Sequence, residues 1–353
     1  MKKKRISIII FVLCVSLVFA GCTGGTQQNE NGGKSIALNF ATFWPGENFY
    51  VTEGHRVWAD TIKNRVETET DHTIDFIMHS GGSLLGASEI YEGVSMGAAD
   101  LGSTCPSYSP GVFPATSVFE LPGFINKDAV AASLAIQEAY ETIEHIQREY
   151  EDVKVMHFWA TGPGDLLTKT PVTTLEELQG MEIRVAGGSV AAIEALGAAP
   201  VTMPMGDAYL SLNQGIVRGI LGPGEILKGF RLAEVTESIT KTPFLYNVIF
   251  IKVMNQNTWD ALPEEVQVIF EEVNGSFVEH YATLGKEQSV IGEEFAKENF
   301  GHQVIELSDE EEQRWLATLA DVQQKWVRDA NRIGLPAEEL LDKAHQLDQE
   351  YSQ

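Results

Sequence analysis

Residues 180–222 read GMEIRVAGGSVAAIEALGAAPVTMPMGDAYLSLNQGIVRGILG. Met181 to Val185 is a short apolar-rich run and predicts a strand. Gly187-Gly188-Ser189 breaks it and opens a helix over Val190–Leu196. Val201-Thr202-Met203 is a second short strand. Asp207 to Gln214 reads as a helix stopped by Gly215, and Gly219-Ile220-Leu221 as a third strand. Strand and helix alternating this tightly specify an α/β layer.

The same grammar runs outward from this stretch. Upstream, Ser35–Thr42 predicts a strand, followed by the loop Phe43-Trp44-Pro45-Gly46. Tyr50 to Glu67 carries apolar residues at helical spacing, then Thr73–Met78 reads as a strand. Ala87–Met96 is a helix and Asp100–Thr104 a strand, so an open, largely parallel sheet is expected. Asp128–Tyr150 is a long helical stretch. Val153–Ala160 is a strand broken by Thr161-Gly162-Pro163-Gly164, and Thr174-Leu175-Glu176-Glu177 is a capping box. Downstream, Tyr246–Met254 is almost wholly apolar and predicts a central strand. After Pro263, Val266, Ile269, Phe270, Val273, Phe277, Tyr281, Leu284, Ile291 and Phe295 keep helical spacing. A helix that long crosses more than one lobe. Ser308-Asp309-Glu310-Glu311 opens a last helix. The expected organisation is lobe I over 35–154 with part of 246–353, lobe II over 155–245, and bridging and C-terminal helices over 255–353.

The N-terminus reads as a processing signal. Met1-Lys2-Lys3-Lys4-Arg5 is basic, and Ile6–Ala20 is an apolar run too short for a comfortable membrane span. Val18-Phe19-Ala20-Gly21-Cys22 resembles a bacterial lipobox, which makes 1–21 a lipoprotein signal peptide and Cys22 the acylated residue. Ordinary cleavage after Ala20 is the alternative. Residues 22–34 hold almost nothing apolar and read as a flexible tether. Gly33-Lys34-Ser35 lacks the earlier glycine of a phosphate loop, because Gln28 stands there.

The 353 residues carry a formal charge of -25, which argues against a nucleic-acid binder. Of three cysteines, Cys14 and Cys22 fall in the signal and its end, so Cys105 has no internal disulfide partner. No His-Glu-x-x-His, Gly-x-Ser-x-Gly or Cys-x-x-Cys set occurs, and the eight histidines are scattered, so no catalytic, metal or cofactor site is expected. His79 and His157 lie near strand ends and are open to a pocket role.

Arg184 carries the chemistry. It ends a strand just ahead of free helix N–H groups, and an arginine fork beside such a terminus suits a carboxylate. A surface guanidinium paired with a surface carboxylate is the competing reading.

Gln179-Gly180-Met181-Glu182-Ile183-Arg184-Val185 resembles the "L-x-G-hydrophobic-K-I-R" segment of substrate-binding proteins of TRAP (tripartite ATP-independent periplasmic) transporters, the DctP-like family. Leu196-Gly197-Ala198-Ala199-Pro200-Val201 resembles its "L-G-A-x-P-V". Met203 to Val217 resembles its "M-P-x-x-E-x-Y-x-A-L-Q-x-G-V-V". Gly93–Gly102, Phe113-Pro114, Glu120–Phe124 and Trp259–Pro263 are similar to further family segments. The resemblance implies a two-lobe periplasmic-binding-protein-like fold with a hinge and a long bridging helix. It also implies that Arg184 binds a ligand carboxylate. Arg218 stands where the family commonly has Asp, and Gly162-Pro163-Gly164-Asp165 stands where many members carry a second arginine. Clamping by two arginines is therefore not expected.

Ligands of open α/β sheets sit at the carboxyl ends of strands. That rule adds Phe43, Trp44, Tyr108, Trp159, Gly162, Gly222 and Glu225 to Arg184 as candidate ligand-binding residues. For each aromatic the alternative is core packing. The implied partners are a small organic acid, TRAP membrane subunits and, through the acylated N-terminus, a lipid bilayer. Three rivals remain: an exported enzyme acting on a small organic acid, a lipoprotein working by protein contacts, and the binding protein of an ATP-driven importer.

Overall fold

The computed structural model describes residues 27–28 and 32–353. Its strands are β1 (Gln27–Gln28), β2 (Lys34–Thr42), β3 (Thr73–His79), β4 (Leu101–Thr104), β5 (Val153–Ala160), β6 (Asp165–Thr168), β7 (Glu182–Val185), β8 (Ala199–Thr202), β9 (Gly219–Gly222), β10 (Ser238–Thr240), β11 (Ile249–Asn255) and β12 (Gln303–Ile305). They form two separate six-stranded sheets. The first runs β1-β2-β4-β11-β5 with β3 beside β2, and the second runs β12-β10-β6-β9-β7-β8.

Three sequence expectations need correction. Each sheet is mixed rather than largely parallel: β11 lies antiparallel between β4 and β5, and β6 lies antiparallel between β9 and β10. β5 belongs to the first sheet, so the chain leaves that sheet at 161–164 and not at 154–155. The apolar run of β5 suits burial in either sheet; its pairing with the wholly buried β11 decides the matter. The stretch 22–34 is not wholly irregular, because Gln27–Gln28 pair antiparallel with Ser35 and Lys34. The signal peptide over 1–21 and Cys22 lie outside the described residues.

The chain returns to the first sheet at 241–248, and the two crossings bind each other. Thr161 N–H donates to Val248 O at 2.9 Å and Gly164 N–H to Tyr246 O at 3.0 Å. Lys241 closes the second-sheet end of this ribbon, pairing with buried Asp165 at 2.7 Å and with Glu293 at 2.6 Å. A paired double crossing has few ways to bend, which is what a hinge needs.

The long helix spans Glu264–Phe300, 37 residues, or about 55 Å at 1.5 Å per residue. Its apolar stripe packs on Arg56–Glu69, Ala129–Thr142 and β5 on the first-sheet side, then on Glu225–Gly229 on the other. The helix Asp309–Arg332 packs on second-lobe helices, and Ala337–Tyr351 packs back on Ala129–Thr142. Thr174 forms both halves of its capping box. Ser308 caps Glu311 N–H, but the Glu311 carboxylate turns away to accept from Leu175 N–H at 2.7 Å and Trp315 Nε1 at 3.1 Å.

Under the first sheet lies a buried polar knot. Lys252 Nζ donates to Tyr281 Oη at 2.8 Å and sits 3.7 Å from the Trp58 ring centroid. His55 Nδ1 meets the same hydroxyl at 2.6 Å. Burial drives the Lys252 ammonium well below its usual range. His157 is in this interior, not in a pocket, and His79 bonds Asn39 Oδ1 at 3.1 Å on the lobe's flank.

Candidate functional site

A narrow cavity of about 20 Å³ lies between the two sheets. Phe43, Trp44, Phe230, Tyr246 and Phe250 wall it, and Arg184, Tyr108 and Glu225 bring its polar atoms. Phe43 and Trp44 stack on each other at 3.9 Å, and Trp44 meets Phe250 edge-on at 4.9 Å.

Arg184 is the penultimate residue of β7 and is 1 % exposed. Nε and Nη2 donate to Met203 O at 3.0 and 2.7 Å, which fixes the plane of the guanidinium. Nη2 also reaches Tyr108 Oη at 3.4 Å. Nη1 is buried with no hydrogen-bond partner, and no carboxylate pairs with Arg184 among the described residues. The surface ion-pair reading is therefore excluded. A buried cation without a counter-charge is costly, and a planar fork with one free edge suits an incoming carboxylate.

Tyr108 spans the lobes. It sits in the turn after β4 and its hydroxyl accepts from Met205 N–H of the second lobe at 3.1 Å. Burial raises its pKa, so the phenol stays neutral. Nearby, Glu120 accepts from Ile249 N–H at 3.0 Å and from the Ser107 hydroxyl, with Gly188 of the second lobe against its carboxyl. Burial pushes this carboxyl up to about 7 against the pull of those two donors.

Arg184, Phe43, Trp44, Tyr108 and Glu225 thus line one cavity, while Trp159, Gly162 and Gly222 do not. Trp159 lies behind Trp44, stacked on Tyr281 at 4.5 Å. Gly162 faces the backbone of Ala129 and Gly222 is covered by Ile226; their neighbours Thr161 and Pro223 line the wall instead. At Gly162 and Gly222 the residue on the wall is the adjacent one. The helix expected to point free N–H groups at the ligand also differs. Its opening residues Gly187 and Gly188 face a separate groove beside Glu120, because the turn after β7 carries the chain past the cavity.

Sequence reasoning missed Phe230, Tyr246, Val248 and Phe250. Tyr246, Val248 and Phe250 are every second residue of the returning crossing, and extended chain puts such residues on one face. That alternation was the available signal.

Two mixed sheets joined by a paired crossing, closed over one aromatic cavity with an unpaired guanidinium, define a two-lobe solute-binding protein. The family model for bacterial extracellular solute-binding protein, family 7, matches residues 47–329, and the chain belongs to that family, the substrate-binding proteins of TRAP transporters. A curated relative, the ectoine/5-hydroxyectoine-binding periplasmic protein of Ruegeria pomeroyi, is 25% identical over 78% of this chain and 82% of its own. The solved structure of a TRAP solute binding protein from Rhodoferax ferrireducens T118 with copurified benzoate is 26% identical. It covers 90% of this chain and 98% of its own, with a TM-score of 0.83. A marine metagenome TRAP solute binding protein specific for aromatic acid ligands, in complex with metahydroxyphenylacetate, is 25% identical. It covers 90% and 100%, with a TM-score of 0.84. The chain is thus a solute-binding protein and not an enzyme, which removes the exported-enzyme rival.

Proposed function

We propose that this protein captures a small aromatic monocarboxylate outside the cytoplasmic membrane and delivers it to TRAP membrane subunits. One observation carries the reading: a buried guanidinium edge with no partner, set among aromatic side chains. The guanidinium suits one carboxylate, and ring faces suit a flat apolar body. Among the described residues no other Lys or Arg lines the cavity, so a dicarboxylate would bury an unpaired charge. The aromatic acids bound by two of the similar structures support the same class.

Purified full chain, titrated calorimetrically with benzoate, succinate and gluconate, tests this. Benzoate is expected to bind and to raise the melting temperature by several degrees when in excess. Tighter binding of succinate or gluconate would overturn the aromatic reading. The lipid anchor is part of the same proposal: Cys22 follows a signal-like run, and a polar stretch separates it from β2. Cys22→Ala is expected to release the protein from the membrane fraction.

Binding is also expected to weaken as pH rises. Burial holds Glu225 up at about 8 and Glu120 at about 7 in the closed molecule, against an ordinary value of 4.5. Opening the lobes lets water reach both carboxyls. Closure then takes up protons between pH 4.5 and those raised values. The favourable contribution is full at the acid end and is lost as pH climbs through 7 to 8. Benzoate affinity should fall at least about tenfold from roughly pH 5.5 to pH 7.5. The Glu120→Gln/Glu225→Gln double variant should flatten the profile; a flat wild-type profile would contradict the expectation.

A further inference from the structure

The cavity has a second polar pole. Glu225 opens the helix Glu225–Gly229, is 5% exposed, and its Oε2 makes no hydrogen bond among the described residues. Tyr50 Oη is buried without a hydrogen bond of ordinary geometry, and its phenol faces the Glu225 carboxyl and pulls that group's pKa down against burial. The two converge on Gly285 of the long helix. A Cβ there would lie 2.6 Å from Tyr50 Oη and 3.3 Å from Glu225 Oε2, so any other residue at 285 would fill the space they share. No ion pair joins Glu225 to Arg184 among the described residues. Tyr246 shares the wall with both.

A buried carboxyl held neutral can donate one hydrogen bond and accept others. A carboxylate on that end of the ligand would find no cation. A bare hydrocarbon end would leave the carboxyl with only the Tyr50 hydroxyl to bond among the described residues when the lobes close, which is costly. A hydroxyl fits, since it can both give and take. A site built to bond a ligand hydroxyl also rejects the analogue without one.

We propose that Glu225 is the specificity-determining residue of the cavity and selects aromatic monocarboxylates bearing a ring hydroxyl away from the carboxylate. This rests on the aromatic-acid reading above. Arg184 supplies affinity for any member of the class; Glu225 chooses among members.

The test is calorimetry on the purified full chain with benzoate, 3-hydroxybenzoate and 4-hydroxybenzoate. Wild type should bind the better-fitting hydroxybenzoate about tenfold or more tightly than benzoate. Glu225→Leu and the near-isosteric Glu225→Met should erase that ratio, each measured against its own benzoate affinity. Glu225→Gln, which keeps a donor and an acceptor, should retain it. Equal wild-type affinity for all three acids would overturn the assignment alone, as would a ratio surviving in both apolar variants. Binding of none of the three acids would overturn the aromatic-acid reading and this assignment with it.

Discussion

Arg184→Ala should weaken benzoate binding by about 30-fold to several thousandfold, from the roughly 2–5 kcal/mol that truncating a buried charge pair costs. The loss has two parts. The carboxylate forfeits its bonds to the free Nη1 edge, and it is then buried opposite no charge. The same change should leave the ligand-free protein as stable as before, or slightly more so. Without ligand Arg184 has no carboxylate partner among the described residues, and its bonds in the structure run to one carbonyl and one phenol. Arg184→Lys should fall between, since a lysine keeps the charge but loses the fork and its hold on Met203 O. Calorimetric affinity beside a melting curve separates these outcomes. An Ala variant within threefold of wild type would remove Arg184 from the binding site.

The site is built from residues that sequence could reach and residues it could not, and the difference is physical. Strand β7, the capping box at Thr174 and the helix after Pro263 are local patterns, fixed by propensity and period within a window of residues. Arg184 was legible for the same reason: it sits in the densest motif of the chain and at a strand's carboxyl end. Sheet membership is not local. Val153–Ala160 suits the interior of either sheet, and only its partner β11, about a hundred residues later, decides. β12 is short and half exposed, so no pattern announces that Gln303–Ile305 completes the second sheet. Side-chain direction at a strand end turns on a single residue. That is why Gly162 was chosen where Thr161 lines the wall. Tyr246 and Phe250 were read as core because they belong to an apolar run; the crossing exposes one of its faces to the cavity.

The second large effect concerns closure and not ligand contact. Gly187→Ala is expected to weaken benzoate binding by about tenfold or more while the ligand-free melting temperature holds or rises slightly. Gly187 lies in the turn after β7 of the second lobe, and a Cβ there would stand 2.7 Å from the Ser107 carbonyl oxygen of the first. That oxygen belongs to backbone in the turn Pro106–Tyr108, which Tyr108 N–H pins by its bond to Cys105 O at 2.9 Å. It cannot swing aside as a long side chain would, so the lobes themselves must part. Overpacking of this kind typically costs roughly 1–3 kcal/mol. The separation is felt one residue away, at Tyr108, whose hydroxyl reaches across to Met205 N–H and to Arg184. Gly188→Val should act more strongly, since its side chain would run into the Glu120 carboxyl. The ligand-free protein escapes the penalty by staying open, and an alanine in place of glycine restricts the unfolded chain. Affinity and stability therefore move apart, which a general folding defect would not produce. Small-angle scattering gives the independent check: the variant saturated with benzoate should remain closer to the ligand-free radius than wild type does. Wild-type affinity in Gly187→Ala would mean that Ser107 and Gly187 do not meet in the liganded protein.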